Sequence, residues 1–516
     1  MPASRQTNPS SDPSAAPKTR RSVLKAGAGV LAGAALAGVD NAHGQLPTAP
    51  ATTATSPATT AQTQRTKYDR YLHDTRNDAW RAKVLEGESL ERQLTRTERI
   101  DPARPLPPGL PGQDYLPVIT PNNVSLPFKI VDGVKVFHLV AQEIRHQFAP
   151  GIEAFTWGYN GRVNGPTIEV VEGDRVRIYL TNHLPAPTSL HPHGFLLPNG
   201  LDGVSGLTNP PALPGETFKI EFTIRQHGTF MYHSHHDTMT QEGMGLTGMV
   251  VMHPRRQLHT VEEIGLPVDR DFVILLQEWR VEVGAHRINP FSMDFNLFTM
   301  NGVVFPATEP LVARLGQRVR LRFGNLSPID HHPIHLHGYE FAITAHNGFR
   351  VPPAQQVMQV TALIPVGRTQ EWELLALNPG DWIFHCHMTH HTMNQMNHLF
   401  TNLVGVAPGE TDKEIQQLLP NYMTMATGGM NDRTGRPMHP IPPNSIPMKN
   451  EDGPFGPITF GGMTSLFKVR AQISDEDLAR NADPGWYDHP PAEIAQPATG
   501  DELRRDGINP SGASRS

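Results

Sequence analysis

Apolar and polar residues alternate along Arg175-Val176-Arg177-Ile178-Tyr179-Leu180-Thr181-Asn182. The alternation returns along Arg318-Val319-Arg320-Leu321-Arg322-Phe323-Gly324-Asn325. A period of two belongs to a half-buried strand. The two runs lie about 145 residues apart, the size of one domain. Nearly the same spacing relates His191-Pro192-His193-Gly194 to His335-Leu336-His337-Gly338. A slightly longer one relates Gly228-Thr229-Phe230-Met231-Tyr232-His233-Ser234-His235 to Gly380-Asp381-Trp382-Ile383-Phe384-His385-Cys386-His387. Two copies of one β domain account for these matches. Many short strands broken by Gly and Pro turns predict an all-β fold of two Greek-key β-sandwich domains, over 115–260 and 268–408.

The flanks read differently. Thr19-Arg20-Arg21-Ser22-Val23-Leu24-Lys25 precedes an apolar run from Ala26 to Val39, with small residues at Ala42-His43-Gly44. This is the pattern of a twin-arginine signal peptide over 1–44, so export to the periplasm or beyond the cell is expected. The run is too short to span a bilayer, and no other segment is long and apolar enough to do so. Residues 45–114 form a linker rich in Ala, Thr, Pro and Gln, followed by a charged, helix-permissive stretch. Residues 409–516 are rich in Pro, Gly, Asn and Met and predict an irregular extension with one strand, within Ile458–Arg470.

Composition narrows the chemistry. The net charge of -6 gives no sign of a nucleic-acid partner. Histidine is abundant at 26 residues, methionine at 18, and Cys386 is the single cysteine. These are the ligand types copper prefers. There are four His-x-His pairs, 191/193, 233/235, 335/337 and 385/387. About one would arise by chance at this histidine content, but all of them fall at matched points of the repeat. Residues i and i+2 of a strand project to one face, so each pair offers two imidazoles to one pocket. Isolated histidines such as His138 and His183 read as ordinary surface or core residues.

In His385-Cys386-His387 the cysteine faces the side opposite its neighbours. His391 and Met396 follow closely. His, Cys and a weak axial Met form a blue-copper electron-transfer site, which needs one more His. His332, in His332-Pro333-Ile334-His335-Leu336-His337, supplies it. Cys386 would thus serve one copper while its neighbours serve others, a few covalent bonds away.

These four motifs, in this order over about 115–405, resemble those of the multicopper oxidase family, which includes laccases. The resemblance implies two cupredoxin-like domains. It implies type 1 copper on His332, Cys386, His391 and Met396, and type 2 copper on His191 and His335. It implies a type 3 pair on His193, His233, His235, His337, His385 and His387. The family spacing selects His332 over its neighbour His331. Ser234, Met239 and Met244 stand where Cys386, His391 and Met396 stand in the second domain, so the first domain carries no type 1 copper. This sets the chain apart from copper nitrite reductases, whose type 1 copper lies in the first domain. The stretch from His235 to His332 cannot hold a middle domain, so the chain resembles the two-domain class. That class is expected to form homotrimers with copper clusters between chains. Asp202 matches the family's proton-relay position, whereas Thr389 replaces a second acid.

The function expected is oxidation of a small reductant coupled to reduction of dioxygen to water. Phenols and aromatic amines are the first donors to consider. Mn(II), Cu(I) or Fe(II) are the second, with Met388 and Met393 near the motif. A non-catalytic copper-binding cupredoxin is disfavoured, because a carrier needs no cluster beside the blue-copper site.

Overall fold

The computed structural model describes residues 99–282, 285–392 and 451–510 except 459, with short backbone stretches at 402–404, 417–418 and 423–425. The expected signal peptide, the linker up to residue 98, and Met396 lie outside the described residues. Isolated bridges begin at Pro111, and the first strand at Lys129.

The first sandwich is built from nine strands. They are β1 (Lys129–Val131), β2 (Val134–Ala149), β3 (Ile152–Tyr159), β4 (Gly165–Val171), β5 (Arg175–Asn182), β6 (His191–His193), β7 (Thr217–Thr223), β8 (Gly228–His233) and β9 (Thr247–His253). One sheet runs β1-β2-β5-β7 with β3 on β2, and the other runs β4-β9-β8-β6. Strict alternation along β5 buries Val176, Ile178 and Leu180. They pack with Phe137, Phe222 and Tyr232 in the core between the sheets.

The second sandwich repeats this plan with β10 (Arg270–Trp279), β11 (Leu297–Met300), β12 (Leu311–Arg314), β13 (Arg318–Asn325), β14 (His332–Leu336), β15 (Phe341–His346), β16 (Phe349–Arg350), β17 (Met358–Gln359), β18 (Thr361–Ile364), β19 (Arg368–Leu375) and β20 (Gly380–Cys386). Two short pairs follow, β21 (Asn402–Val404) on β22 (Met423–Met425) and β23 (Glu451–Gly453) on β24 (Gly456–Ile458), before β25 (Thr464–Arg470). One sheet runs β11-β10-β13-β19-β15-β16, and the other β12-β25-β20-β14-β18. The order β12-β25-β20-β14 matches β4-β9-β8-β6, including the parallel pairs β4–β9 and β12–β25. The strand expected in the C-terminal stretch is therefore β25, and it completes the second sandwich from beyond residue 408.

β13 departs from the half-buried reading: its polar face is buried too. That face meets the first sandwich. Arg322 donates to Asp271 (2.7 and 2.8 Å), to Glu371 (2.7 Å) and to Thr229 of β8 (2.8 Å). Arg320 donates to Glu373 at 2.8 Å. Burial alone would raise the Asp271 carboxyl, but the charges of Arg322 and Arg320 hold it below its usual range. Beside this network Met231, Met249 and Val251 pack on Val273, Leu275 and Leu326. Gly324 sits where a Cβ would collide with Met249. Among the described residues no helix is long and apolar enough to cross a membrane.

Removing Arg322 takes the closest cation from two buried carboxylates and leaves them only Arg320, at 3.5 Å from Asp271 and 3.8 Å from Glu371. Arg322→Leu is therefore expected to lower stability by about 3–5 kcal/mol in urea unfolding, because an unpaired buried charge costs far more than the pair contributed. Arg177→Leu, at the matching strand of the first sandwich but half-exposed, should cost much less. Equal losses for the two would contradict the buried network.

Candidate metal centre

β20 and β14 are adjacent antiparallel strands, with His335 opposite His385 and Ile334 opposite Cys386. Alternation on β20 sends Phe384 and Cys386 into the core and leaves His385 half-buried on the other side. His332 stands on β14, and His391 on a 3-10 turn at Thr389–Thr392. All three of His332, Cys386 and His391 are buried. Cys386 Sγ lies 3.8 Å from His332 Nδ1 and 3.4 Å from His391 Nδ1, and the two Nδ1 atoms are 3.2 Å apart.

The surroundings aim these atoms. Ser327 Oγ pairs with His332 Nε2 at 2.7 Å, which turns Nδ1 toward the thiol. His391 stacks on Phe298, with centroids 3.9 Å apart, and its Nε2 faces Asp330 at 3.5 Å. Burial pushes His332 well below its usual range, and the neighbouring His391 and His331 add to this. Burial brings His391 to about 4, against the pull of Asp330. Burial pushes the Cys386 thiol up to about 12. The pocket thus holds two neutral imidazoles and a thiol whose proton leaves only when a bound cation displaces it. That donor set fits a soft transition metal such as copper. Sequence reasoning placed Met396 here as well; it lies outside the described residues.

The eight histidines of the His-x-His pairs fall into two groups. In the first sandwich His191, His193, His233 and His235 cluster, with neighbouring ring centroids 5.1–6.0 Å apart, and the ligating atoms of the first three lie within 4.8 Å of one another. His193 Nδ1 is 3.1 Å from His233 Nε2. His191 Nδ1 bonds the Asp202 carbonyl at 2.5 Å, and the Asp202 carboxylate stands 3.5 Å from the same nitrogen. Gly203 makes this turn possible: its φ is +82° and a Cβ would strike the Leu190 carbonyl. Burial brings His193 to about 4, helped by His233 and His191.

In the second sandwich His335, His337, His385 and His387 form the counterpart, with centroids 4.6–5.9 Å apart. His337 Nε2 lies 3.2 Å from His385 Nε2. His335 Nδ1 is held by Val360 O at 2.6 Å, and His385 Nδ1 by Cys386 O at 2.9 Å. Among the described residues no hydrogen bond or ring contact joins the two groups, and His337 and His387 are exposed.

Two features were missed from the sequence. Glu242 Oε1 stands 3.0 Å from His233 Nδ1. Burial lowers His233, yet Glu242 outweighs it and the net shift is upward. No motif flags an acid at that spacing. The first sandwich's counterpart of the thiolate pocket is also filled differently. Thr188 stands where His332 stands, and Ser234 where Cys386 stands. Gln241 Oε1 accepts from both hydroxyls, at 2.7 and 2.5 Å, and its Nε2 donates to Pro187 O at 2.8 Å. Met239 is exposed, and Met244 packs in a different apolar cluster.

Two cupredoxin-like sandwiches, one with a cysteine–imidazole pocket and each with a half-ring of histidines, define the class. The chain belongs to the multicopper oxidase family: profiles described as "Multicopper oxidase" match residues 141–257 and 283–405. Members of the family bind copper at type 1, type 2 and type 3 sites and are oxidoreductases that use dioxygen. The chain is 28% identical over 284 residues to a probable nitrite reductase-hydroxylamine oxidoreductase fusion protein of Kuenenia stuttgartiensis, covering 52% of this chain and 31% of that protein. It is 27% identical over 243 residues to copper resistance protein A of Escherichia coli, covering 38% and 39%. It is 38% identical over 200 residues to laccase-1 of Agaricus bisporus, covering 35% and 38%. The chain thus spans under half the length of these relatives.

Replacing the thiol tests the pocket. Copper-loaded Cys386→Ser should lose the intense blue absorption of the wild type, because a hydroxyl gives no thiolate charge-transfer band. It should retain the copper held by the histidine groups, read by electron paramagnetic resonance. A serine variant that stays blue would remove Cys386 from the site.

Proposed function

We propose that the protein is a copper-dependent oxidase that takes single electrons from phenolic or aromatic donors and uses them to reduce dioxygen to water. The observation that carries this reading is on β20: one residue, Cys386, faces a buried two-histidine pocket while its neighbours face a half-ring of imidazoles. In this reading His332, Cys386 and His391, with Met396 as a weak axial partner, hold type 1 copper. His191 and His335 hold type 2 copper, and His193, His233, His235, His337, His385 and His387 hold the type 3 pair. Bound there, copper supplies single-electron uptake from the donor and the four-electron reduction of dioxygen.

The chain's own residues set the conditions. Ser327, Val360 and the Asp202 carbonyl fix which nitrogen each of their histidine partners presents. Asp202, at the edge of the first half-ring, relays protons that dioxygen reduction consumes. Glu242, behind His233, is a second carboxylate on the same side and compensates for Thr389. The Asp330 carboxylate, part-exposed beside His391 Nε2, receives the proton a phenol releases as it is oxidised.

A metal-ion oxidase acting on Mn(II), Cu(I) or Fe(II) is the second reading. It is favoured by relatives named as a copper resistance protein and as an iron transport multicopper oxidase, and by exposed Met388 beside the pocket. Export by the twin-arginine route to the periplasm or the cell exterior suits a protein that acquires copper before it crosses the membrane. Oxygen uptake with a phenol, Mn(II) and Cu(I), measured side by side, separates the readings. The largest kcat/KM is expected with the phenol. Uptake driven only by a metal ion would replace the first reading with the second, and no uptake with any donor would contradict both.

The separation of the two half-rings has a quaternary consequence. Each is partly open, and a complete cluster needs both. We infer that a neighbouring copy supplies the missing half by a head-to-tail contact, which must close into a ring; resemblance to the two-domain class sets that ring at a homotrimer. His193→Ala and His385→Ala, each inactive alone, should regain part of the wild-type oxygen uptake when assembled together. Mixed trimers without activity, or fully active monomers by light scattering, would contradict shared sites.

A further inference from the structure

Three groups of side chains among the described residues bring three metal-ligating atoms within 4.8 Å of one another. Two belong to the thiolate pocket and the first half-ring. The third is Glu172, His227 and His259, and nothing in the oxidase chemistry uses it. Glu172 directly follows β4 and His227 directly precedes β8. His259 lies between β9 and β10, in the segment that joins the two sandwiches.

The group is buried: side-chain exposures are 0% for Glu172, 8% for His227 and 1% for His259. Glu172 Oε2 lies 3.5 Å from His227 Nδ1 and contacts His259 Nε2. The backbone N–H of Arg255 also donates to Oε2, at 3.3 Å. The imidazoles stand edge to face, 4.6 Å between centroids. Glu172 Oε1 is fully buried and has no hydrogen-bond partner among the described residues. A charged oxygen left so is costly unless something else completes its shell. His227 also lines a cavity of about 390 Å³ between the sandwiches, which gives an ion a way in.

We propose that Glu172, His227 and His259 bind one divalent transition-metal ion, separate from the copper centres, that ties the first sandwich to the connecting segment. Two imidazoles and one carboxylate suit Zn²⁺ or Cu²⁺ rather than Mg²⁺ or Ca²⁺, which prefer all-oxygen shells. The second layer needs one exchange, because Arg99 Nη1 now donates to His259 Nδ1 at 2.7 Å. With an ion on His259 Nε2, the ring proton sits on Nδ1, which faces Glu263 Oε2 at 3.6 Å. Arg99 Nη1 then keeps its bonds to Leu258 O (3.0 Å) and Glu263 Oε2 (3.2 Å) and releases His259 Nδ1 (2.7 Å). Such outer carboxylates orient metal-bound histidines. The rival arrangement is a metal-free ion pair, in which charged imidazoles alone neutralise Glu172.

Elemental analysis distinguishes the two. Full-length, copper-loaded protein is dialysed against Zn²⁺, and bound copper plus zinc is counted in wild type, Glu172→Gln and His227→Asn. Glu172→Gln keeps the shape and one acceptor oxygen, so it separates loss of a ligand from loss of packing. The wild type is expected to hold about one ion more than either variant, with the blue absorption equal in all three. Equal metal counts in blue, folded variants would overturn the proposal. A variant that loses its colour is replaced by His259→Gln. A wild type holding no ion beyond its type 1, type 2 and type 3 copper overturns the proposal without any variant.

Discussion

The two-residue period of one strand is the constraint on which the rest depends. β20 cannot turn Cys386 toward the core without turning His385 the other way. The thiol therefore ends in a buried pocket, where burial keeps it protonated until a cation arrives. Its neighbours end at an open rim. β14 obeys the same rule, with His332 buried and His335 only half-buried. Two adjacent strands thus build two chemically different sites back to back, and the backbone between Cys386 and its neighbours is the shortest path between them.

The first sandwich shows what the same frame becomes without a thiol. Thr188, Ser234 and Gln241 occupy the matching pocket and satisfy one another there. Three neutral polar groups hydrogen-bonded in a core cost little, whereas an unpartnered histidine pair would stay desolvated and unsatisfied. The loss of one site is therefore stable in its own right. The half-ring on the other face keeps its own support from the Asp202 carbonyl and Glu242.

Much of this was legible in the chain because strand alternation and His-x-His spacing are local. The repeat of Gly173–Asn182 at Gly316–Asn325 pointed to two copies of one domain, and His385-Cys386-His387 to the copy whose pocket holds the cysteine. What was not legible depends on contacts distant in sequence. β25 reads as an isolated strand in an irregular tail, yet it lies between β12 and β20. The arginines of β13 look like a solvent face, and only the docked first sandwich makes them a buried network. Gln241 and Glu242 sit in a short helix with no motif. Glu172, His227 and His259 are scattered singly, as ordinary core residues are.

The central claim is that Cys386 marks a pocket back to back with a histidine cluster shared between chains. Anomalous diffraction at the copper edge from copper-loaded crystals tests it most directly. The account predicts one peak between Cys386, His332 and His391. It also predicts a group of peaks where His191, His193, His233 and His235 of one chain face His335, His337, His385 and His387 of another. An empty pocket at Cys386, or half-rings that each hold a separate ion and face no second chain, would contradict it.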